Sequence, residues 1–500
     1  MLKHRRPPRA QFEQARSSPQ YGTSALHTEL KLSSTTAQKK ASIANHHLAQ
    51  AQSWILQLSI IVRIVSIFLL VLVSQLQQAF DTSHNLLSYS LDPNLLHSLS
   101  SGGFQFLLSF VRWDTIYFVS SAAPTSQLHK GGYVWEQALA FQPGIIALLR
   151  LAGFVTPSMD GEWSPTSSML LTTLLSNLAT MLSPILLFRL GWTITRNKEL
   201  SFTAAILSIF APSAGTTLAS PTPESFFSFA SLMGLVTLES KTASTKGRLS
   251  WGKIVGASLW FAIATTFRTN GTLLLGYIGF KLISSARSTS QGLGWLLKLV
   301  VSTTICLAPS AMFQMWAFTR FCVAQDTMRP WCRKGTRSVY GFVQSHYWNV
   351  GFMRYWQIAQ LPNFVVASPI LIMIFLTAWR FYRRSSWMNV LRSLIAGACN
   401  EETSQEMEAK QDQGLMMLAT NPEMVPFIVH GLVLGMVLLF GSHVQISVRF
   451  ATAGGIPMFW WGVAHMVLYG KRWMRRWIVT YFSMQFCVGM VLYAGFYPPA

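Results

Sequence analysis

Apolar runs long enough to cross a bilayer recur from residue 54 nearly to the end of this chain, and no other feature limits the fold as much. A crossing needs about 17–25 mostly apolar residues. Runs of that kind lie at 54–74, 166–188, 203–219, 223–239, 251–267, 271–286, 295–318, 361–379, 425–442, 449–469 and 478–496. A further apolar stretch, 138–155, is interrupted by Gln142, Pro143 and Gly144. Charged residues make up only 11% of the chain, against roughly a quarter in soluble domains. These runs exclude a soluble multidomain enzyme and predict an all-α polytopic membrane protein with about eleven transmembrane helices.

The net charge of +21 raises the question of nucleic acid, since basic proteins bind phosphate backbones. Its distribution answers otherwise. The basic residues form short clusters between apolar runs, such as Arg380/Arg383/Arg384 and Lys471/Arg472/Arg475/Arg476, as cytosolic loops do under the positive-inside rule. No nucleic-acid partner is expected. Residues 1–53 are polar and read as a disordered basic cytosolic tail, and they contain no apolar signal-peptide core. Residues 54–500 form the membrane domain, whose first run carries Arg63 and acts as an uncleaved anchor.

With the tail cytosolic and 138–155 dipping into the membrane without crossing, each cytosolic connection is basic beside a membrane end. The long segment 75–165 then falls on the other side, with Arg112, Lys130 and Arg150 against Asp81, Asp92, Asp114, Glu136, Asp160 and Glu162. If 138–155 crosses fully, the pattern inverts. The loop 319–360 lies on the same side as 75–165 and is basic, which suits a phosphate. The loop 380–424 is cytosolic, and its acidic 401–412 stretch reads as a solvated insertion.

This topology puts Asp114, Glu136, Glu224, Arg268, Asn270, His346, Asn349, His443 and Arg449 on one side of the membrane. Charges near hydrocarbon line a cavity or pair with one another, so a single site is expected. In FVRWDTIYF (110–118), Asp114 can take a proton from a hydroxyl, with Trp113 and Tyr117 to desolvate it or stack on a sugar face. The alternative is a structural pair of Arg112 with Asp114. Glu136, in GYVWEQALAFQPG (132–144), is a second carboxylate.

In APSAGTTLASPTPES (211–225) three prolines break the helix at the surface. Glu224 then either meets substrate or only completes a helix N-terminus. In FRTNG (267–271), Arg268 can clamp a phosphate with its guanidinium fork or pair with a carboxylate. The stretch 331–364 is aromatic and basic, fit for a lipid headgroup or for an interfacial belt. Its Cys332 shares a loop with Cys322, and a non-cytosolic location allows them to bridge. Cys306, Cys399 and Cys487 read as buried small hydrophobes. In HVQISVRF (443–450), His443 and Arg449 flank a span junction.

The chain has no P-loop, no GxGxxG and no HExxH. It also lacks an Asp-x-Asp metal clamp, which disfavours a nucleotide-sugar donor and implies no metal.

RWD with Phe118, GYVWEQALAFQPG, APSAG with PTPESFF, FRTNG, YWNVGFMRYWQIAQLPNF, and HVQISVRF with Pro457 and Trp460 occur in this order over residues 105–465. Together they resemble the GPI mannosyltransferase 2 family, although that family typically has Ser where this chain has Thr269. The resemblance implies a GT-C glycosyltransferase of the endoplasmic-reticulum membrane with its active site lumenal. It implies transfer of the second mannose, in α-1,6 linkage, from dolichyl-phosphate mannose to a glycosylphosphatidylinositol precursor. No cofactor is implied beyond that donor lipid. A small accessory membrane subunit is an expected partner, by similarity to fungal members. GT-C enzymes place the catalytic carboxylate in the first lumenal loop, which maps onto Asp114, with Glu136 as second candidate. Arg112, Trp113, Glu224, Asn270, His346 and Asn349 are then candidate substrate contacts, and Arg268, Arg449 and His443 candidates for the donor phosphate. Competing expectations are a lipid-linked sugar flippase, which should show two similar halves, and a non-catalytic subunit of the same pathway.

Overall fold

The computed structural model describes residues 22–80, 104–125, 132–155, 162–240, 249–288, 294–323, 329–332, 338–384 and 421–497. Cys399, the acidic 401–412 stretch and the charges Asp81, Asp92, Lys130 and Asp160 of segment 75–165 lie outside these residues. The chain divides into two units, Met1–Ser53 and Trp54–Ala500. The first, expected to be disordered, is helical from residue 22 onward, where the good helix formers Ala, Leu, Gln and Lys are frequent.

The described residues contain helices and no strand, so the all-α expectation holds. The principal helices are α1 (Gly22–Leu76), α2 (Asp114–Ala122), α3 (Pro143–Val155), α4 (Pro165–Thr195), α5 (Lys198–Ile209) and α6 (Pro223–Glu239). They continue with α7 (Trp251–Phe267), α8 (Leu275–Ser288), α9 (Gly294–Phe318), α10 (Val339–His346), α11 (Leu361–Arg384) and α12 (Val425–Met436). The last are α13 (Ser447–Phe450), α14 (Pro457–Tyr469) and α15 (Arg472–Ala494). Six stretches are long and apolar enough to cross a membrane as single helices: His46–Leu76, Pro165–Thr195, Gly294–Val323, Ile358–Arg383, Pro422–Gly441 and Arg472–Ala494. The other runs of the eleven expected form shorter helices, α6 and α7 among them with 17 residues each. Two of the runs, 203–219 and 449–469, are interrupted by packed, non-helical backbone.

The run expected at 203–219 shows why. Helix α5 stops at Ile209, and residues 211–222 are buried without being helical. Pro212 and Gly215 oppose the helix, and buried carbonyls freed from a helix need other donors. Side chains from distant helices supply them. Arg63 on α1 donates to the Ala214 carbonyl at 2.6 Å. From α4, Ser176 donates to Ser220 at 2.7 Å, Asn177 to Ala219 at 2.9 Å and Thr180 to Leu218 at 3.1 Å. The Tyr493 hydroxyl of α15 donates to Ser220 Oγ at 3.0 Å. Irregular backbone at membrane depth survives only where protein surrounds it in this way.

The run expected at 449–469 is interrupted in the same manner at residues 451–456. There Gly454 lies so close to α6 that a Cβ would sit 2.0 Å from the Ser228 carbonyl oxygen, and its amide donates to Ser228 Oγ at 2.8 Å. The segment after Arg449 is thereby fixed one turn beyond Glu224. At the start of α3, a Cβ on Gly144 would fall 2.7 Å from the Thr266 carbonyl, which seats the QPG turn against the end of α7, beside Arg268.

Helix α6 runs from Glu224 to Glu239, about 23 Å of rise, and each end gathers charge. At the Glu239 end, Lys281 meets Glu239 at 2.7 Å and Glu423 at 3.8 Å. The Glu224 end holds the group described next.

Candidate active site

Four charged side chains from four separated stretches meet at the start of α6. Glu224 stands in the first turn of α6 behind Pro223, where the helix N-terminus favours an anion. Its side chain is 1% exposed. Arg268, at the end of α7, donates to Glu224 Oε1 at 2.6 Å. Arg449, on the short α13, reaches the same oxygen through Nε at 2.9 Å and Nη2 at 2.7 Å. Its Nη1 donates to Asp114 Oδ2 at 2.7 Å. Two carboxylates and two guanidiniums balance in charge, which is what allows them to be this close to hydrocarbon.

The four are not equally accessible. Glu224 is sealed, while the Arg268, Arg449 and Asp114 side chains are 16%, 21% and 35% exposed. The arrangement is a ladder with a buried foot and an open head at Asp114. Arg268 also lies over the Phe450 ring, 4.3 Å from its centroid, so its fork is held on two sides. Glu224 Oε2 and Asn270 Nδ2 are buried without a hydrogen-bond partner, which leaves unmet polar capacity in and beside the group. Among the described residues, no three of His, Cys, Asp and Glu gather as metal ligands.

Asp114 opens α2, and the residue before it, Trp113, has φ of 49°. That is a left-handed conformation rare for a bulky residue and typical of positions held by their surroundings. The Trp113 ring packs near Phe496, 6.3 Å between centroids, and its Nε1 is buried without a partner.

Arg112 bonds to backbone carbonyls rather than to Asp114. Its guanidinium donates to the carbonyls of Leu108 at 2.5 Å, Val111 at 3.0 Å and Ala494 at 2.9 Å, and covers the Phe496 ring at 4.6 Å. It clamps the loop before α2 to the C-terminus of α15, where a cation is favoured. Burial lowers its pKa, but an arginine starts high enough to keep its charge.

Glu136 likewise has partners of its own, outside the four-residue group. It is 7% exposed and accepts from Trp331 Nε1 and, at 2.8 Å, from the Tyr347 hydroxyl. Arg329 lies 3.5 Å from its Oε2. With both oxygens occupied, it ties the 132–144 segment to the loop that Cys322 and Cys332 close as a disulfide. Desolvation and the Glu136 carboxylate raise the Tyr347 phenol above its ordinary value, so Tyr347 stays a donor. Of the other cysteines, Cys306 is buried as expected, whereas Cys487 is exposed.

His443 joins a neighbouring network rather than the ladder. Its Nε2 contacts the Trp348 carbonyl at 2.6 Å and its ring stacks on Tyr355 at 4.7 Å. Tyr355 in turn donates to Gln445 at 2.5 Å and accepts from Asn363 at 2.8 Å. His346 stacks on Phe342 at 5.0 Å, and Asn349 supplies a turn with φ of 51°. Sequence reading did not single out Tyr355, Asn363, Gln445 or Gln142, whose amide is buried without a partner. A polar side chain inside an apolar stretch was the available signal in each case.

The sequence profile of the mannosyltransferase (PIG-V) family matches residues 52–500. A GPI mannosyltransferase 2 of Cryptococcus neoformans is 30% identical over 471 residues, covering 88% of this chain and 96% of that protein. One from Aspergillus oryzae is 34% identical over 312 residues, 59% of this chain and 66% of that protein. The human GPI alpha-1,6-mannosyltransferase 2 is 28% identical over 391 residues, 71% of this chain and 72% of that one. Among solved structures, the oligosaccharyltransferase of Archaeoglobus fulgidus aligns with a TM-score of 0.40 at 11% identity, over 88% of this chain and 55% of that one. With a match that runs from before the first apolar run to the last residue, the chain belongs to the mannosyltransferase (PIG-V) family.

Proposed function

We propose that the chain is a GT-C glycosyltransferase that moves the second mannose, in α-1,6 linkage, from dolichyl-phosphate mannose to a glycosylphosphatidylinositol precursor. The names of its relatives support the reaction. The observation that carries the reading is a partly exposed carboxylate, Asp114, hydrogen-bonded to an arginine that a buried glutamate holds in place.

Inverting transfer from a phosphate-linked sugar needs a base and a stabiliser for the leaving phosphate. Asp114 takes the proton of the acceptor hydroxyl as that oxygen bonds to the anomeric carbon. The bond from that carbon to the phosphate oxygen breaks, and dolichyl phosphate leaves with the electron pair. Arg449 and Arg268 are the cations beside the reacting centre. As Asp114 gains its proton its bond to Arg449 Nη1 weakens, which leaves that donor for the phosphate where charge is growing. Glu224 keeps both arginines aimed throughout. The scheme asks for no cofactor beyond the donor lipid. It is placed at the lumenal face of the endoplasmic reticulum, with the N-terminus cytosolic and a small accessory subunit as partner.

The test is a microsomal assay with labelled dolichyl-phosphate mannose and a one-mannose precursor. Wild type makes the two-mannose product, and Asp114→Asn lowers turnover by about 10²–10⁴-fold. Normal turnover in a folded Asp114→Asn protein removes Asp114 as the base. Absence of product from the wild type removes the assignment.

A further inference from the structure

A cavity of about 410 Å³ opens between α2, α3 and α9, apart from the ion-pair ladder. Tyr133, Phe313 and Trp316 form aromatic walls, and Arg150 and Arg320 are its charged lining, with no carboxylate among the lining residues. Arg150 is fixed in position: its Nε donates to the Ala122 carbonyl at 2.9 Å and its Nη2 to those of Ser121 and Ala123 at 3.3 and 3.1 Å. Arg320 is exposed at the end of the helical stretch that includes α9. Beside the cavity, Leu151 and Val155 on α3 and Met312 and Met315 on α9 are all exposed. In a membrane protein such side chains face lipid tails. A cationic hollow with aromatic walls and apolar flanks fits an anionic amphiphile, with its headgroup inside and its chains in the bilayer.

Distance chooses between the two lipid phosphates of the reaction. Helix α2 carries Asp114 at one end, and Arg150 is bonded at the other, about 12 Å away along the axis. The donor's phosphate is bonded to the carbon under attack, so it must lie beside the base, where reacting atoms approach to about 3–3.5 Å. The acceptor's phosphodiester is separated from its reacting mannose by a glucosamine and an inositol. Only that phosphate belongs far from Asp114.

We infer that this cavity binds the phosphodiester of the acceptor's phosphatidylinositol, with Arg320 and Arg150 as its cations. The inference rests on the reaction proposed above and adds the place where the acceptor's lipid end is held.

The experiment measures KM for the one-mannose acceptor and for dolichyl-phosphate mannose, separately, in the full chain. Arg320→Ala raises acceptor KM about tenfold, the value of one charge-assisted hydrogen bond, while donor KM and turnover at saturation stay at wild type. Arg320→Lys recovers part of the loss. Ala147→Trp, which fills the cavity without touching a charge, raises acceptor KM as well. A rise in donor KM alone assigns the cavity to the donor and overturns the inference. No change in either KM overturns it too, leaving only incidental contact with bulk lipid. Wild type without product speaks against the reaction rather than the cavity. A second measurement then decides: short-chain phosphatidylinositol raises the melting temperature of the wild type more than equally charged phosphatidylserine does, and Arg320→Ala abolishes the difference. Equal effects of the two lipids sink the inference.

Discussion

One oxygen of Glu224 holds two guanidiniums, and the consequences of changing any member follow from that sharing. Arg449 spans Glu224 and Asp114 with three donors of one rigid fork. A lysine ammonium is a single point and cannot meet both carboxylates with that geometry. Arg449→Lys is expected to lower turnover by about tenfold or more, the equivalent of one or two charge-assisted bonds, in protein that still folds. Assay of turnover at saturating donor and acceptor checks this, and wild-type turnover would mean the fork is dispensable. Arg112 predicts the opposite pattern, because its partners are carbonyls of the loop before α2 and of α15. Arg112→Gln should cost about 1–3 kcal/mol of stability, seen as a lower melting temperature, while the folded fraction turns over normally. Arg112 and Asp114 were visible in the sequence as charges inside an apolar stretch, two positions apart. Their separate roles were not, since the arginine that meets Asp114 and the α15 carbonyl that Arg112 holds lie 335 and 382 residues away, and spacing alone suggests that the two pair with each other.

Among the elements, those bounded by a sharp change of composition were legible and those bounded by tertiary contacts were not. Helices α6 and α7 begin and end where their apolar runs do, at 223–239 and 251–267. The 203–219 run has the same composition, yet its second half is not helical, because α1 and α4 satisfy its carbonyls from afar and α15 bonds the Ser220 hydroxyl beside it. This buried turn leads directly into Pro223 and Glu224, so its integrity sets the position of the ladder. Asn177→Leu keeps the side-chain volume and leaves the Ala219 carbonyl without that donor, at a cost of about 1–3 kcal/mol. The expected result is a lower melting temperature together with reduced turnover. An unchanged melting temperature would show that the turn does not depend on α4. The tie between Glu136 and the disulfide loop is a second such element. Glu136→Gln keeps an acceptor for Trp331 and weakens the contact with Arg329. It should make the 319–360 loop more sensitive to protease while leaving turnover far above that of Asp114→Asn. Turnover as low as that variant's would return Glu136 to the chemistry.

Across the whole molecule, the fold keeps two groups of charge apart at the two ends of α6. Asp114, Glu224, Arg268 and Arg449 meet at one end of α6, and Glu239, Lys281 and Glu423 at the other. Near that second end, Lys298 donates to the Leu249 carbonyl and Asn421 to that of Ile194, joining connections that the positive-inside rule assigned to the cytosol. Helix α3 bears on the parity of the crossings. Its 13 residues rise about 20 Å, well short of a hydrocarbon core of about 30 Å. Its neighbour α2 is shorter still. Neither spans that core as one straight helix, and with 138–155 re-entrant, as the charge pattern suggests, the loop 319–360 would share the side of 75–165. Glycosylation mapping tests the arrangement without reference to activity. An acceptor sequon introduced between residues 333 and 337 should be modified in microsomes, and one introduced between residues 401 and 412 should not. The reverse outcome would overturn the re-entrant reading of α3 and the sidedness that rests on it.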